Sequence, residues 1–356
     1  MSAPTDFIGR LEAKVARQLK GQRAAYLLGA GASYLNGAGY PLGSELWNKI
    51  RDHITDVAGR EEIQAKLDAG AKGLEHALDL MDEGLPQAGV HRHLVTHAIA
   101  EAFQPLRPPL DIHTEFVSRL ARRPEPLVKV FNLNYAPLIE WSAEKARVRL
   151  HDGFCGNEHA FFEPATFEER IGRIHGTHKG KQFDETTKPI QLLKLHGSMG
   201  WCECGPNYIR RCTEWYECTT GGTLKCPFTP NIPSEARLLM IPPQRRKAND
   251  TMTLPYSALW SAFRGALNQD SRPINRLICL GYGFADEHVN AVIDGACART
   301  DFTLLILTRS LSEEAWSRWS AKGNAVIVTE SRCALRGEIG TGHADLWRFE
   351  RIAKKV

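Results

Sequence analysis

Three features of the chain have residue types and spacing suited to chemistry. The first is the stretch YLLGAGASYLNGAGYP over residues 26–41, which places four glycines in sixteen residues directly after a short apolar run. A glycine-rich turn between a strand and a helix brings backbone N–H groups and the helix dipole to a pyrophosphate, so Gly29, Ala30, Gly31 and Ser33 are candidate phosphate-binding positions. The spacing, Gly-x-Gly followed by Ala-Ser, departs from the full dinucleotide fingerprint, and a tight turn without a ligand accounts for it equally well. The second feature is His196, which follows the apolar run 190–195 and precedes Gly197. At the end of a buried strand its ring emerges at the carboxyl edge of a sheet, where an imidazole of pKa about 6.5 can take a proton from water or a hydroxyl. The third is Asn134, just past the run 127–132. Its amide both donates and accepts, as ordering a water requires, although a strand-end Asn also closes Asx turns.

Such residues need a sheet to position them, and the chain is built to supply one. Its 356 residues, 43% hydrophobic and 24% charged, bury a sizeable core in one large domain with an insert or in two smaller domains. Short β-rich runs at 24–28, 127–132, 190–195, 276–280, 302–307 and 325–328 alternate with helical patterns at 44–54, 112–121, 137–146, 256–267, 287–298 and 312–319. Near-continuous apolar strands joined by helices predict an α/β fold with a doubly wound parallel sheet, Rossmann-like, covered on both faces. Phe7, Ile8, Leu11, Val15 and Leu19 fall at helical spacing and predict an amphipathic helix within 1–23. The expected organisation is that helix, then 24–151 as the first part of the sheet domain with a helical insert at about 60–103. A loop-rich, Cys-containing small module follows at 152–251, including the 190–198 strand and the His-Gly motif. Residues 252–335 return to the sheet domain and 336–356 form a C-terminal tail.

Taken in order, Gly29-Ala-Gly-Ala-Ser33 with Gly39-Tyr-Pro41, Asn132-Leu-Asn-Tyr-Ala136, Lys194-Leu-His-Gly-Ser198 and Leu280-Gly-Tyr-Gly-Phe-Ala-Asp286 resemble the motif series of the sirtuin-like family. They are most similar to the sirtuin-like NAD hydrolases of bacterial anti-phage defence, and the resemblance runs from about Tyr26 to Leu307. It implies NAD as substrate, cleaved to nicotinamide and ADP-ribose through an oxocarbenium-like state that must be shielded and met by a nucleophile from one face. It implies Asn134 as the residue that positions ribose and water, and His196 as general base. Gly29, Ala30, Gly31, Ser33, Pro41, Tyr135 and Ala136 then line the dinucleotide. Gly281 and Tyr282 lie under its adenosine side, and Asp286 touches a ribose hydroxyl or caps the following helix.

One position departs from the family pattern. Where the family carries an acidic residue this chain has Ala136, which removes a charge-assisted acceptor for the nicotinamide carboxamide. Losing such a bond in the transition state costs about 1.5 to 3 kcal/mol, roughly one to two orders of magnitude in rate. Ala136→Asp is accordingly expected to raise NAD cleavage. Two alternatives to hydrolysis stand beside it: an NAD-dependent protein deacylase, and a catalytically silent NAD-binding assembly subunit.

The cysteines and histidines are the candidate metal ligands. Five of the nine cysteines, Cys202, Cys204, Cys212, Cys218 and Cys226, cluster where deacylating sirtuins insert a zinc ribbon. Their spacing is degenerate against paired C-x-x-C knuckles and reads first as a remnant loop with free thiols, so no metal site is assigned. His93 and His97, with His91 nearby, read as a solvated helix face because no acidic partner sits at matching spacing.

The net charge of +4 is too weak to imply direct nucleic-acid binding, and Arg245-Arg246-Lys247 reads as a solvated loop. With no signal peptide and no membrane-length apolar run, the chain is expected to be cytoplasmic and away from membranes. The family resemblance implies a homo-oligomer activated by a partner such as a HerA-type ATPase ring, an Argonaute-like partner being the weaker option.

Overall fold

A computed structural model describes residues 6–83, 92–125, 127–156, 160–177, 180–203, 208–211, 237–241 and 253–356. The chain folds as α/β around a doubly wound sheet. In chain order the strands are β1 (Ala24–Leu28), β2 (Val128–Asn132), β3 (Leu150–His151), β4 (Ile190–Lys194), β5 (Arg276–Leu280), β6 (Thr303–Leu307), β7 (Ala325–Val328), β8 (Arg332–Leu335) and β9 (Glu338–Thr341). In space they run β9-β8-β7-β6-β5-β1-β2-β4-β3. All neighbouring pairs from β7 to β3 are parallel, while β8 and β9 add an antiparallel edge.

Both faces of this sheet are covered, which is why its strands read as unbroken apolar runs. Along β1, Ala25 and Leu27 point into one core cluster and Ala24, Tyr26 and Leu28 into the other. The first cluster is closed by the helices Tyr256–Arg264, Glu287–Cys297 and Glu313–Ser320. The second is closed by Phe7–Leu19, Asp111–Ala121, Leu138–Ala146 and Phe349–Ile352. Phe7–Leu19 starts where the Asp6 carboxylate accepts the Gly9 amide at 2.8 Å, and it buries Leu11, Val15 and Leu19 against its own domain.

Two parts of the expected organisation change. The run at 190–194, grouped with the small module from sequence, is β4 of the main sheet, pairing with β2 over its whole length. Every one of its residues is buried, which only a two-sided sheet interior provides. Residues 336–356 are not a tail: β9 extends the sheet, and Phe349, Ile352 and Ala353 are core residues. The remaining module is an antiparallel sheet in the order Arg237–Met240, Gly197–Glu203, Ile209–Arg211, Phe161–Phe162 and Phe154–Cys155, with a separate hairpin of Ile171–Thr177 and Gly180–Thr187. The helical insert comprises Val57–Asp68, Leu74–Asp82 and Arg92–Phe103. Together with Gly43–Ile50 it shares a third apolar cluster with Met199, Cys202, Leu238 and Met240, so the insert packs on the small sheet.

Candidate active site

From β1 at the centre of the sheet, the chain proceeds outward through β2 and β4 on one side and through β5, β6 and β7 on the other. Loops leaving the carboxyl ends of strands on either side of such a reversal diverge and open a crevice. Here the loops after β1, β2, β4 and β5 enclose a cavity of about 340 Å³. Of the residues singled out from sequence, Gly29, Ala30, Ser33, Pro41, Asn134, Tyr135, Ala136, His196, Gly281, Tyr282 and Asp286 all line it. The helical insert and the segment before it roof the cavity with Tyr40, Leu46, Glu75 and Phe103.

Gly31 lines a second cavity of about 240 Å³, on the other side of the turn, with Thr308, Arg309 and Arg348. The two cavities share Ala30, Gly281 and Gly283. Glycine is required in the turn because another loop crosses it. A Cβ on Gly29 would stand 2.5 Å from Tyr282 Cα, and one on Gly31 would stand 2.8 Å from Gly281 Cα. The Gly29 amide donates to Leu280 O at 2.9 Å and the Gly31 amide to Gly281 O at 2.8 Å. These two N–H groups therefore bind the neighbouring loop, and the expectation that they face a pyrophosphate does not hold for them.

Asn134 is held by the same turn. The Asx turn after β2 is made by Asn132, whose Oδ1 accepts the Asn134 amide at 2.9 Å. That leaves the Asn134 side chain to cross to β1, where Nδ2 donates to Gly29 O at 3.0 Å. Its Oδ1 remains as the amide's acceptor.

Beneath this loop lies Lys194, the last residue of β4 and almost fully buried. Its Nζ is within 3.0 Å of Tyr135 O and Ala136 O and within 2.9 Å of Glu140 Oε1 and Ser198 Oγ. Burial pushes its pKa down and Glu140 opposes that shift. Ser198 adds a hydroxyl bond to Tyr135 O at 3.0 Å, and Tyr135 itself donates to Ile241 O at 2.6 Å. The Lys-Leu-His-Gly-Ser segment thus fixes the Asn-Tyr-Ala backbone from below while presenting His196 to the cavity.

His196 is paired. Its Nε2 lies 2.9 Å from Asp286 Oδ2, and both side chains are buried. Asp286 Oδ1 accepts the amides of His288 and Val289, capping the helix Glu287–Cys297. Tyr282 stands over the same corner, its hydroxyl 3.2 Å from Asp286 O and 3.1 Å from Asn290 Oδ1. Burial raises the Tyr282 pKa well above its ordinary value, and the Asp286 charge adds to the shift. A carboxylate against one ring nitrogen fixes the tautomer, which makes Nδ1 the basic nitrogen. Of the ribose contact and the helix cap expected of Asp286, the cap is present, and the pairing with His196 is an additional role.

Ala136 is 2% exposed and belongs to the apolar cluster of the insert, with Leu46, Leu138 and Met199. Glu75, from the helix Leu74–Asp82, gave no sequence signal because nothing local marks a helix residue that tertiary packing turns into a cavity. Lys194 lies within a motif read from sequence, but its role emerges only from the partners that folding brings to it.

Cys202 is buried in the strand Gly197–Glu203 within the insert's apolar cluster, whereas Cys204, Cys212, Cys218 and Cys226 lie outside the described residues. So do His91 and the Arg245-Arg246-Lys247 triplet; His93 and His97 sit on the helix Arg92–Phe103, where His97 is half-buried. Among the described residues no group of three or more His, Cys, Asp or Glu side chains is placed to hold a metal, and no helix is long and apolar enough to cross a membrane.

No family model and no curated protein matches the chain. Solved structures do. The chain is similar to one described under "Structural Basis for the Mechanism and Regulation of Sir2 Enzymes", with 13% identity, 97% of each chain covered and a TM-score of 0.42. It is also similar to one described under "The Structural basis of Sirtuin Substrate Affinity", with 13% identity, 99% of this chain and 98% of that chain covered, and a TM-score of 0.43.

Proposed function

We propose that the chain is a sirtuin-like NAD hydrolase, cleaving NAD to nicotinamide and ADP-ribose. The observation that carries this reading is the joint presence of Asn134 and the His196–Asp286 pair in one cavity at the sheet's switch point. The second cavity, joined to the first across Ala30, Gly281 and Gly283, supports an extended dinucleotide with its adenosine end beside Thr308 and Arg309. In the reaction the nicotinamide–ribose C–N bond breaks, its electron pair leaves with nicotinamide, and the anomeric carbon becomes oxocarbenium-like. Water ordered by Asn134 adds to that carbon and gives its proton to His196, directly or through a ribose hydroxyl. Asp286 holds the imidazole and stabilises it once protonated.

The biological role we infer is depletion of NAD as an effector of anti-phage defence, by a homo-oligomer that a HerA-type ATPase activates. That part rests on the motif resemblance alone. A catalytically silent NAD-binding subunit is the second reading, favoured by the apolar wall at Ala136. Incubating the purified chain with NAD and an acetyl-lysine peptide separates the possibilities. ADP-ribose and nicotinamide, abolished in Asn134→Ala and His196→Ala, support hydrolysis. O-acetyl-ADP-ribose points to deacylation, and binding without turnover to the silent subunit. Turnover surviving both substitutions together overturns the site.

A further inference from the structure

Among the described residues that line the 340 Å³ cavity, two are acidic, Asp286 and Glu75. Asp286 is committed, one oxygen to His196 and the other to the helix amides. Glu75 enters from the opposite element, the helix Leu74–Asp82 of the insert, and is half-buried. Burial is the main cause that raises the pKa of both Tyr135, in the loop after β2, and Tyr282, in the loop after β5, and the Glu75 charge adds to each shift, so the carboxylate lies within electrostatic reach of both walls. The cavity it lines also presents apolar Leu46, Phe103, Leu133 and Ala136, and low local polarity strengthens charge-assisted hydrogen bonds.

Nicotinamide brings to such a wall a cationic ring and a carboxamide with two N–H donors. A carboxylate has about four acceptor sites, so Glu75 can keep a protein partner and still receive an amide. We propose that Glu75 is the specificity-determining residue of the site, accepting the carboxamide of the leaving group and rejecting dinucleotides whose ring carries a carboxylate instead. This rests on the reading of the cavity as an NAD site. The discrimination is one of paired against opposed charge, and a charge-assisted bond of this kind is worth roughly ten- to a hundredfold.

The test compares NAD with nicotinic acid adenine dinucleotide on the full chain and on Glu75→Gln and Glu75→Lys, with thermal melting to confirm folding. Both kcat/KM for release of the base and calorimetric affinity are read. The wild type is expected to favour NAD by about tenfold or more, Glu75→Gln to bring the two within roughly threefold, and Glu75→Lys to favour the acid. If catalysis is silent, the affinities must follow the same order. Variants that fold and keep the wild-type preference overturn the role of Glu75 while leaving the NAD site standing. A wild-type chain that neither binds nor cleaves either dinucleotide overturns the site reading and this inference with it.

Discussion

His196 Nε2 lies 2.9 Å from Asp286 Oδ2, while Oδ1 of the same carboxylate caps the helix Glu287–Cys297. One side chain thus ties a strand-end imidazole to the start of a helix that follows a different strand. Asp286→Asn separates the two duties. Asparagine caps helices as well as aspartate, so stability should change by less than about 1 kcal/mol. The amide's N–H, however, faces Nε2 and forces the proton onto Nδ1, removing the base. Nicotinamide release should fall roughly a hundred- to ten-thousandfold with melting temperature nearly unchanged. A wild-type rate in a folded Asp286→Asn would show that the pair is architectural.

Gly281 has φ of +62°, and a Cβ there would stand 2.4 Å from Ala32 N and 2.6 Å from Gly31 Cα. Both the left-handed backbone and the crossing of two loops require glycine. Gly281→Ala should destabilise the fold by about 2 to 4 kcal/mol. Gly283, two residues on, has nothing within 4 Å of its Cβ position. Gly283→Ala is the control in thermal melts and should leave the midpoint within a few degrees; equal losses at both positions would remove the loop crossing as the cause.

The main parallel strands were legible because burial on both faces leaves an apolar run that no helix of that length shares, as at 24–28 and 276–280. The edge was not. β3 is two residues long, and β8 and β9 take their pairing from partners the local pattern does not name. In the site, the glycine turn and His196 could be read, since each sits at a strand end. The reason for the glycines could not, because the atoms that exclude side chains from Gly29 and Gly31 belong to residues 281 and 282. Asp286 stands 90 positions from His196, and Glu75 is brought to the cavity by the packing of an insert. Such long-range relations leave no periodicity to read.

His113 links acid stability to the same turn. It is 1% exposed, packs its ring at a tilt against Phe349 with centroids 4.8 Å apart and bonds the backbone of Ala32; burial lowers its pKa to about 4. The folded state therefore holds it neutral where the unfolded chain, with a pKa of about 6.5, already binds a proton. Stability from this group is complete above about pH 6.5 and falls as pH drops from there toward 4, by roughly 3 kcal/mol in all. His113→Leu removes that titration. Its unfolding free energy should decline less steeply than the wild type's across this window in parallel denaturant titrations. Matching slopes would mean that His113 does not govern the acid limb.

Ala136 and Glu75 line one cavity from opposite elements, and their relationship refines what a carboxylate at 136 should do. On sequence grounds alone Ala136→Asp is expected to accelerate NAD cleavage. With Glu75 already supplying an acceptor, the single substitution gains little and adds a third acidic side chain to those lining the cavity, at a position only 2% exposed. Its melting point should fall by an amount equivalent to about 1 to 3 kcal/mol. In a Glu75→Gln background the balance reverses. Aspartate at 136 then provides the missing acceptor, flanked by the Asn134 loop that Lys194 holds, and it should recover roughly tenfold of the lost kcat/KM together with the preference for NAD over the nicotinic acid analogue. The double substitution is therefore expected to be more active than Glu75→Gln alone, although less stable. A double variant no better than Glu75→Gln would place the two carboxylate positions on different parts of the ligand.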